Sequence, residues 1–325
     1  MTDNMEKRET IHKPVLLKEV IENLNLKPGQ KIVDCTLGGG GHTMAILEKV
    51  TPEGKILAID ADEEAISQFK SKIQNQKSKV LDNIILINDN FENLNRILKD
   101  NNFTPVEGIL VDFGFSSDQI EDETKGLSFL REGPLDMRYG KKQNLTAEEI
   151  INSYSKDDLV RIFKNYGEEP VAERIAKAIT EARKKERIKS TLRLAEVVLS
   201  VKHRRGKIHP ATQVFQALRI EVNDELGVIE RFLPQAVEAL APGGRLAVIT
   251  FHSLEDRIVK NFFKKISLKI HACRVEESGE KKGFPDSSAH GQIILINKKV
   301  IKPKWEEVKF NKRARSAKLR VVEKM

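Results

Sequence analysis

A glycine-rich loop and a later carboxylate are the residues whose types and spacing first indicate chemistry. Residues 38–41 are an unbroken run of glycines, followed by His42. Glycines let a backbone approach a ligand closely, and Asp60, which ends the next apolar segment, can accept hydrogen bonds from ribose hydroxyls. The arrangement predicts a nucleotide-binding loop, the alternative being a glycine-rich turn in an ordinary α/β domain.

The loop matches neither of two common phosphate-binding patterns. The dinucleotide fingerprint G-x-G-x-x-G/A fails because Thr43 or Met44 occupies its last position. The phosphate-loop pattern needs Gly-Lys-Ser/Thr, which the chain does not contain. A loop without a phosphate-specific residue favours a nucleoside ligand such as S-adenosylmethionine.

Further candidate residues follow two later apolar segments. Asp112 begins an Asp-Phe-Gly triplet, and we expect its carboxylate to face a cofactor or to cap a loop. A kinase is excluded because the His-Arg-Asp and strand-lysine motifs are absent. His252 and Asp256 suggest a hydrolase triad, but the chain has no G-x-S-x-G elbow, and Ser253 is interpreted as a helix cap. No histidine has a zinc spacing, so no metal is expected.

The elements that must position these residues alternate along the first third of the chain. This alternation predicts a parallel sheet with helices on both faces, the doubly wound α/β class. The predicted strands are 31–37, 55–60, 83–88 and 106–113, and the predicted helices are 43–50, 62–72 and 91–100. Later segments predict a helix over 227–240 that is interrupted or bent near Pro234, a sharp turn at 241–244, and strands at 245–251, 293–297 and 317–322.

Residues 117–143 are rich in glycine and charge and are predicted to form loops, whereas from Thr146 onward the hydrophobic period is helical. Thr146 and Glu149 form a capping box, and Pro170 can open a later helix. We therefore predict a discontinuous nucleotide-binding domain, 1–116 with 208–325, and a helical insert, 117–207. An insert that leaves after the fourth strand would roof the site.

Composition limits the function classes. The chain has 325 residues, a net charge of +8 and two cysteines without metal or redox spacing. No run of about 18 apolar residues exists, which argues against a membrane span, and the cytosol is the expected location. Basic clusters at 184–189, 202–207 and 312–318 favour nucleic acid as partner, although any one of them alone is more often a solvated face.

A series of sequence blocks, in order along nearly the whole chain, carries a family resemblance. The blocks are residues 12–17 (HKPVLL), 40–42 (GGH), 58–60 (AID), 133–138 (GPLDMR), 166–169 (YGEE), 209–212 (HPAT), 251–260 (beginning FHSLEDR) and 313–320 (RARSAKLR). In them the chain resembles the bacterial small-subunit ribosomal RNA cytosine-N4 methyltransferases, the MraW/RsmH type.

The resemblance implies a class I methyltransferase fold with a helical insert and S-adenosylmethionine as cofactor. It implies methylation of a decoding-region cytosine of 16S rRNA in a largely assembled small subunit, by a monomer or homodimer. At residues 112–119 the family usually has Asp-Leu-Gly-Val-Ser-Ser-Pro-Gln. This chain differs from that pattern at Phe113, Phe115 and Asp118, and the polar residues of the pattern are kept. Segment 266–288 is unlike the family and is assigned no role. Carried over by position, the cofactor contacts would be Gly40, Gly41, His42, Asp60, Phe91, Asp112 and Gln119.

We expect methyl transfer to need a hydrogen-bond acceptor that contacts the amine of the target cytosine. The amine of cytosine is a weak nucleophile because its lone pair is delocalised, and an acceptor on N–H localises it. We expect Asp112 or the backbone after it to serve, with Asp136 and Arg138 as alternative site residues. The chain lacks the Pro-Pro of DNA amino-methyltransferases. Candidates for stacking on the base, each of which could equally be a core residue, are Phe115, Phe129 and Tyr139.

Other functions stay open at this point. A cofactor-binding ribosome-assembly factor would bind subunits without transferring methyl groups. A small-molecule methyltransferase would be insensitive to salt, whereas an enzyme that contacts phosphates weakens as salt rises. A nicotinamide oxidoreductase is disfavoured by the glycine pattern.

Overall fold

A computed structural model describes residues 14–74, 82–114, 122–140, 143–203, 209–276 and 293–325, with the backbone alone over 268–276. Within these ranges no helix has the length and apolar character needed to cross a membrane.

The described strands form a seven-stranded sheet in the order β3-β2-β1-β4-β5-β7-β6. Strands β1 to β5 pair in parallel, whereas β7 is antiparallel to both β5 and β6. This order, with its reversed strand beside β5, confirms the predicted class I methyltransferase fold. The strands are β1 (Lys31–Asp34), β2 (Lys55–Asp60), β3 (Ile84–Asn88), β4 (Val106–Asp112), β5 (Leu240–Thr250), β6 (Ile293–Leu295) and β7 (Lys318–Lys324).

Helices cover both faces of the sheet, because neighbouring strand residues enter different cores. In β1, Ile32 packs with α1 and α2, whereas Val33 packs with α4, α10 and α11. The helices are α1 (Leu17–Leu24), α2 (Gly41–Val50), α3 (Glu63–Gln74), α4 (Leu94–Asp100), α5 (Ala147–Ser153), α6 (Lys156–Asn165), α7 (Ala172–Lys185), α8 (Thr191–Leu199), α9 (Thr212–Asn223), α10 (Glu225–Ala239), α11 (Ser253–Glu276) and α12 (Trp305–Phe310).

Two local predictions differ from the structure near β5. Helix α10 continues through Pro234 without interruption. The predicted sharp turn at 241–244 lies inside β5, where the pairing with β4 shifts between Val106–Leu240 and Gly108–Arg245. Pairing with a neighbouring strand, which the local sequence does not encode, absorbs these residues as an irregularity rather than a turn.

Helices α5 to α9 share a core of their own. Thr146 and Glu149 form the predicted capping box of α5, and Ser155 caps α6. The predicted end of the insert at 207 falls in 204–208, outside the described ranges. The shared core nevertheless continues through α9 to Val222, so α9 packs with the insert's helices. The domain division stays a prediction.

Candidate active site

A cleft of about 1180 Å³ lies at the carboxyl ends of β1 to β4. Parallel strands present their following loops along this edge, where ligands of such sheets bind. The opposite wall comes from residues within 122–140, from Gln143 and from 222–231, and Arg313 contributes from the turn before β7. The cleft therefore lies between the sheet and the described residues from 122 to 223, which we call the helical unit.

The glycine loop is shaped by packing. Gly40 has a φ of 74°, and a Cβ there would overlap the Phe69 ring. A Cβ on Gly41 would lie 2.9 Å from Pro14. His42 lines the cleft, and its buried imidazole Nε2 lies 2.9 Å from the carbonyl oxygen of Val15. These contacts fix the path of the glycine loop. As a result, the backbone of the loop lies beside the cleft.

Asp60 ties two loops together at the cleft wall. Its Oδ2 accepts a hydrogen bond from the Gly38 N–H at 2.8 Å, and its Oδ1 accepts one from the Asp62 N–H at 2.9 Å. Burial raises the pKa of Asp60, because desolvation outweighs these bonds. Lys125, from the helical unit's first loop, pairs with Asp62 and closes this side.

Phe91 supplies an aromatic surface after β3. Its ring centroid lies 5.0 Å from that of Phe232, edge to face, and 5.8 Å from that of Phe113. Phe91 and Phe113 both line the cleft. Phe113, a departure from the family pattern, is therefore packed into this aromatic group.

Asp112 ends β4 with a buried oxygen that lacks a partner. Its N–H donates to Thr36 Oγ1 at 2.8 Å, whereas its Oδ1 has no hydrogen-bond partner among the described residues. Burial is the main cause that raises the pKa of Asp112 to about 8. The nearby carboxylates of Asp34 and Glu255 raise it further, and Arg313 opposes them. A buried polar atom of this kind is suited to meet a ligand.

Behind Asp112 lies Asp34, which the sequence analysis did not identify. It is fully buried in β1, accepting hydrogen bonds from the Thr43 hydroxyl at 2.7 Å and the Thr36 N–H at 3.1 Å. Desolvation raises the pKa of Asp34 to about 7. A carboxylate inside an apolar strand gives no local signal of whether it is buried.

The alternative site residues Asp136 and Arg138 are paired with each other. Arg138 Nε and Nη2 each donate to the Asp136 carboxylate at 2.8 Å, and Nη1 donates to the Gln143 carbonyl at 2.7 Å. Burial alone would raise the pKa of Asp136, but the hydrogen bonds and charge of Arg138 outweigh it and lower the pKa. Both line the cleft as an ion pair that fixes the loop.

A buried charge network extends from the cleft into the junction between the two units. Arg219 Nε and Nη2 donate to Glu225 at 2.7 and 3.0 Å, and the Tyr139 hydroxyl donates to Glu225 at 2.7 Å. Arg219 outweighs desolvation and lowers the pKa of Glu225 to about 2. His252 Nε2 lies 3.1 Å from Glu255 Oε1, without a hydrogen bond to any of the described residues. Burial opposes protonation, but Glu255 and Glu225 raise the pKa of His252 to about 9.

Glu225, His252 and Glu255 have a spacing that a metal ion could use, with ligand atoms within 4.8 Å of one another. The group could not be recognised from local spacing, because Glu225 begins α10, whereas His252 and Glu255 lie together at the start of α11. Arg219 pairs with Glu225, and the raised pKa of His252 favours a second cation beside both carboxylates. We therefore interpret the group as a charge network, and the expectation of no metal stays a prediction.

The remaining predicted residues have varied positions. Gln119 and Phe115 lie outside the described residues. Phe129 packs in the helical core, its ring stacked 4.6 Å from that of His209. The Tyr139 ring lines the cleft while its hydroxyl is held by Glu225. Ser253 begins α11, and its hydroxyl donates to Glu168 at 2.7 Å, a contact that the helix-cap interpretation did not anticipate.

Comparisons with known proteins decide the family. The sequence profile described as "MraW methylase family" matches residues 9–325. The chain belongs to this family.

Similar relatives of the MraW methylase family share the full length. The chain is 48% identical to the protein called ribosomal RNA small subunit methyltransferase H of Dictyoglomus thermophilum, over 98% of this chain and 99% of the relative. It is 45% identical to the protein of the same name from Elusimicrobium minutum, over 97% of this chain and 98% of the relative. It is 42% identical to that of Clostridium botulinum, over 97% of this chain and 99% of the relative. An rRNA methylase structure from Streptococcus thermophilus aligns with a TM-score of 0.42 at 11% identity, over 97% of this chain and 98% of its own. The assignment rests on the sequence matches.

Blocks that suggested the MraW family have structural roles around the cleft. A Cβ on Gly167 would approach the carbonyl oxygens of Phe163 and Gln213 within 2.7 Å, so glycine allows α6 and α9 to pack closely. Glu168 accepts hydrogen bonds from Ser253 and from Arg257 at 2.8 Å, which join the helical unit to α11. These motif residues hold the two walls of the cleft in place.

Proposed function

We propose that the chain transfers the methyl group of S-adenosylmethionine to the exocyclic N4 amine of a cytosine in the decoding region of small-subunit ribosomal RNA. The observation that carries the residue assignment is Asp112: a buried carboxylate oxygen that has no hydrogen-bond partner among the described residues, at the end of β4 in the cleft of a MraW-family methylase. Its acceptor capacity is available for an N–H of the target.

The cleft residues fit the cofactor. The backbone at Gly40, Gly41 and His42 would hold its methionine portion, Asp60 its ribose hydroxyls and Phe91 its adenine. Asp112 and Gln119 complete the set that the family implies. When bound, S-adenosylmethionine supplies a methyl group on a positively charged sulfur, which a nucleophile can attack in line.

Asp112 would localise the amine lone pair. As a carboxylate it accepts one N–H of the amine, which withdraws the lone pair from conjugation with the ring. Desolvation makes the ionised carboxylate a stronger acceptor, and because the same effect raises its pKa to about 8, the ionised form that accepts this N–H increases as pH rises toward 8. The target base must first leave its stack, which costs a few kcal/mol unless it is already unpaired. The Asp136–Arg138 pair would hold the opposite wall.

The RNA assignment is supported by charge. Lys184, Lys185 and Lys189 are exposed on the helical unit. Other members of the basic clusters are paired: Arg187 with Glu148 at 2.6 Å and Lys202 with the buried Glu169 at 2.6 Å. We propose that the exposed cations contact rRNA phosphates of an assembled small subunit in the cytoplasm.

The test is methyl transfer from labelled S-adenosylmethionine to unmodified small subunits, naked rRNA and DNA, followed by mass spectrometry of the labelled nucleoside. We expect N4-methylated cytidine from subunits. D112N should lower kcat by about a hundredfold or more, with D100N, an exposed aspartate of α4, as the matched control. Cofactor and subunit binding without any methyl incorporation would instead support an assembly factor. Full activity of D112N with normal cofactor affinity would refute the role of Asp112.

A further inference from the structure

Helix α12 exposes two large aromatic side chains. Trp305, the single tryptophan of the chain, is 71% exposed, and Phe310 is 75% exposed. The Lys309 ammonium lies 5.5 Å from the Trp305 ring centroid and 5.9 Å from that of Phe310. Large aromatic rings are usually mostly buried, so a pair exposed around a shared cation points to a contact surface.

Positive charge surrounds these rings. Over 302–316 one acidic side chain, Glu306, is exposed, since Glu307 is partly buried and accepts the Leu16 N–H at 2.8 Å. We call the exposed residues the aromatic-basic surface: Lys302, Lys304, Trp305, Lys309, Phe310, Lys312 and Arg315.

This surface is attached to the cleft wall. The Glu307–Leu16 hydrogen bond ties α12 to the start of α1, and Ile301 pairs with Leu319 of β7. Helix α12 leads into the turn Lys312–Ser316, whose Arg313 lines the cleft. The positive charge of Arg313 favours the ionised form of Asp112. A chain bound across α12 can therefore continue into the site.

We propose that the aromatic-basic surface binds a single-stranded segment of the RNA substrate beside the target nucleotide. This rests on the proposed function. Bases would stack on Trp305 and Phe310, and the lysines would contact the flanking phosphates, a combination that binds single strands with little sequence preference. The excess of exposed cations favours a polyanion over an apolar protein partner or a second copy of the chain.

Trp305 is its own reporter, because no other tryptophan contributes fluorescence. The full chain would be titrated with a short single-stranded RNA, with the same sequence as a duplex, and with itself at rising concentration. We expect quenching by the single strand that weakens steeply with salt, and little quenching by the duplex. Equal quenching by the duplex, or a change that follows protein concentration alone, would overturn the proposal.

Variants test whether the surface serves the substrate. W305A and F310A should each raise the KM for small subunits by about tenfold, with kcat and cofactor affinity unchanged. W305F should retain most of the affinity, because it still offers a ring. K309Q should weaken binding and reduce its salt dependence, whereas K70Q, on α3 at the other end of the sheet, should do neither.

The outcomes separate this proposal from the proposed function. Normal N4 methylation with an unchanged KM in W305A and F310A would refute the role of the aromatic-basic surface in RNA binding, while the proposed methyltransferase activity would stand. Quenching by RNA without methyl transfer would refute the activity and leave the surface intact. Quenching by an added ribosomal protein but not by RNA would replace RNA with a protein partner and overturn the proposal.

Discussion

Asp112 and Asp34 are buried carboxyl groups that work against the fold when they are ionised. Their pKa values, about 8 and about 7, lie above the ordinary 3.8 because burial penalises the charged form. Between the ordinary and the raised pKa the folded protein binds more protons than the unfolded chain, so stability falls as pH rises through this window. An active site that keeps a carboxylate ready for a ligand has this cost in the absence of the ligand.

We predict that D112N stabilises the cofactor-free protein increasingly as pH rises. At pH 5 the folded wild type keeps Asp112 neutral while the unfolded chain already ionises it, so D112N should melt higher by only a small margin. At pH 8.5 the wild type ionises Asp112 and D112N does not, so the variant should melt about 2 °C higher or more. D100N should show no such widening. A constant difference between pH 5 and 8.5 would mean that the pKa of Asp112 is ordinary.

At the scale of elements, the strands and helices of the first third agree with the prediction because their hydrophobic period is local. Strand β2 has the predicted bounds, and the strands predicted at 293–297 and 317–322 are present as β6 and β7, which pair at one edge of the sheet. The irregular start of β5 and the network around Glu225 could not be predicted, since both depend on partners distant in sequence. The glycine loop was predicted as a ligand cradle, but packing against Phe69 is a further reason for Gly40.

We predict that G40A disrupts the junction between the glycine loop and α2. The new Cβ would overlap Phe69, and the φ of 74° disfavours any side chain, so unfolding should become easier by about 2 kcal/mol. G38A is the matched control, because it also has a positive φ but open space around the Cβ. Chemical denaturation measures both variants. If the overlap with Phe69 is the cause, G40A should destabilise the F69A protein less than it destabilises the wild type. An equal loss in both proteins would exclude the overlap as the cause.

At the scale of the whole molecule, buried charges join the helical unit to the sheet. Arg219 belongs to α9, Glu225 begins α10 and His252 follows β5, so this network crosses the junction behind the cleft. Replacing one member of a buried pair leaves the other charge uncompensated, which is far more costly than losing an exposed pair.

We predict that R219M destabilises the protein by about 3 kcal/mol, because Glu225 would stay buried without its cation. K164M, which breaks the exposed pair with Glu173, should leave the stability nearly unchanged, because water screens that pair. Thermal and denaturant unfolding report both changes. R219M/E225Q should be more stable than R219M, and a double variant as unstable as the single one would show that Arg219 acts through packing.

The position of the helical unit between β4 and β5 has a consequence for the order of folding. Asp112 pairs with Ile249 across this entire unit, so the contact is among the least local in the sheet. Helices α5 to α9 have their own core and mostly near neighbours, which favours their early formation, whereas distant strand pairing is slow. In refolding experiments we expect helical signal to appear before cofactor affinity, because the cleft is completed only when β5 docks beside β4.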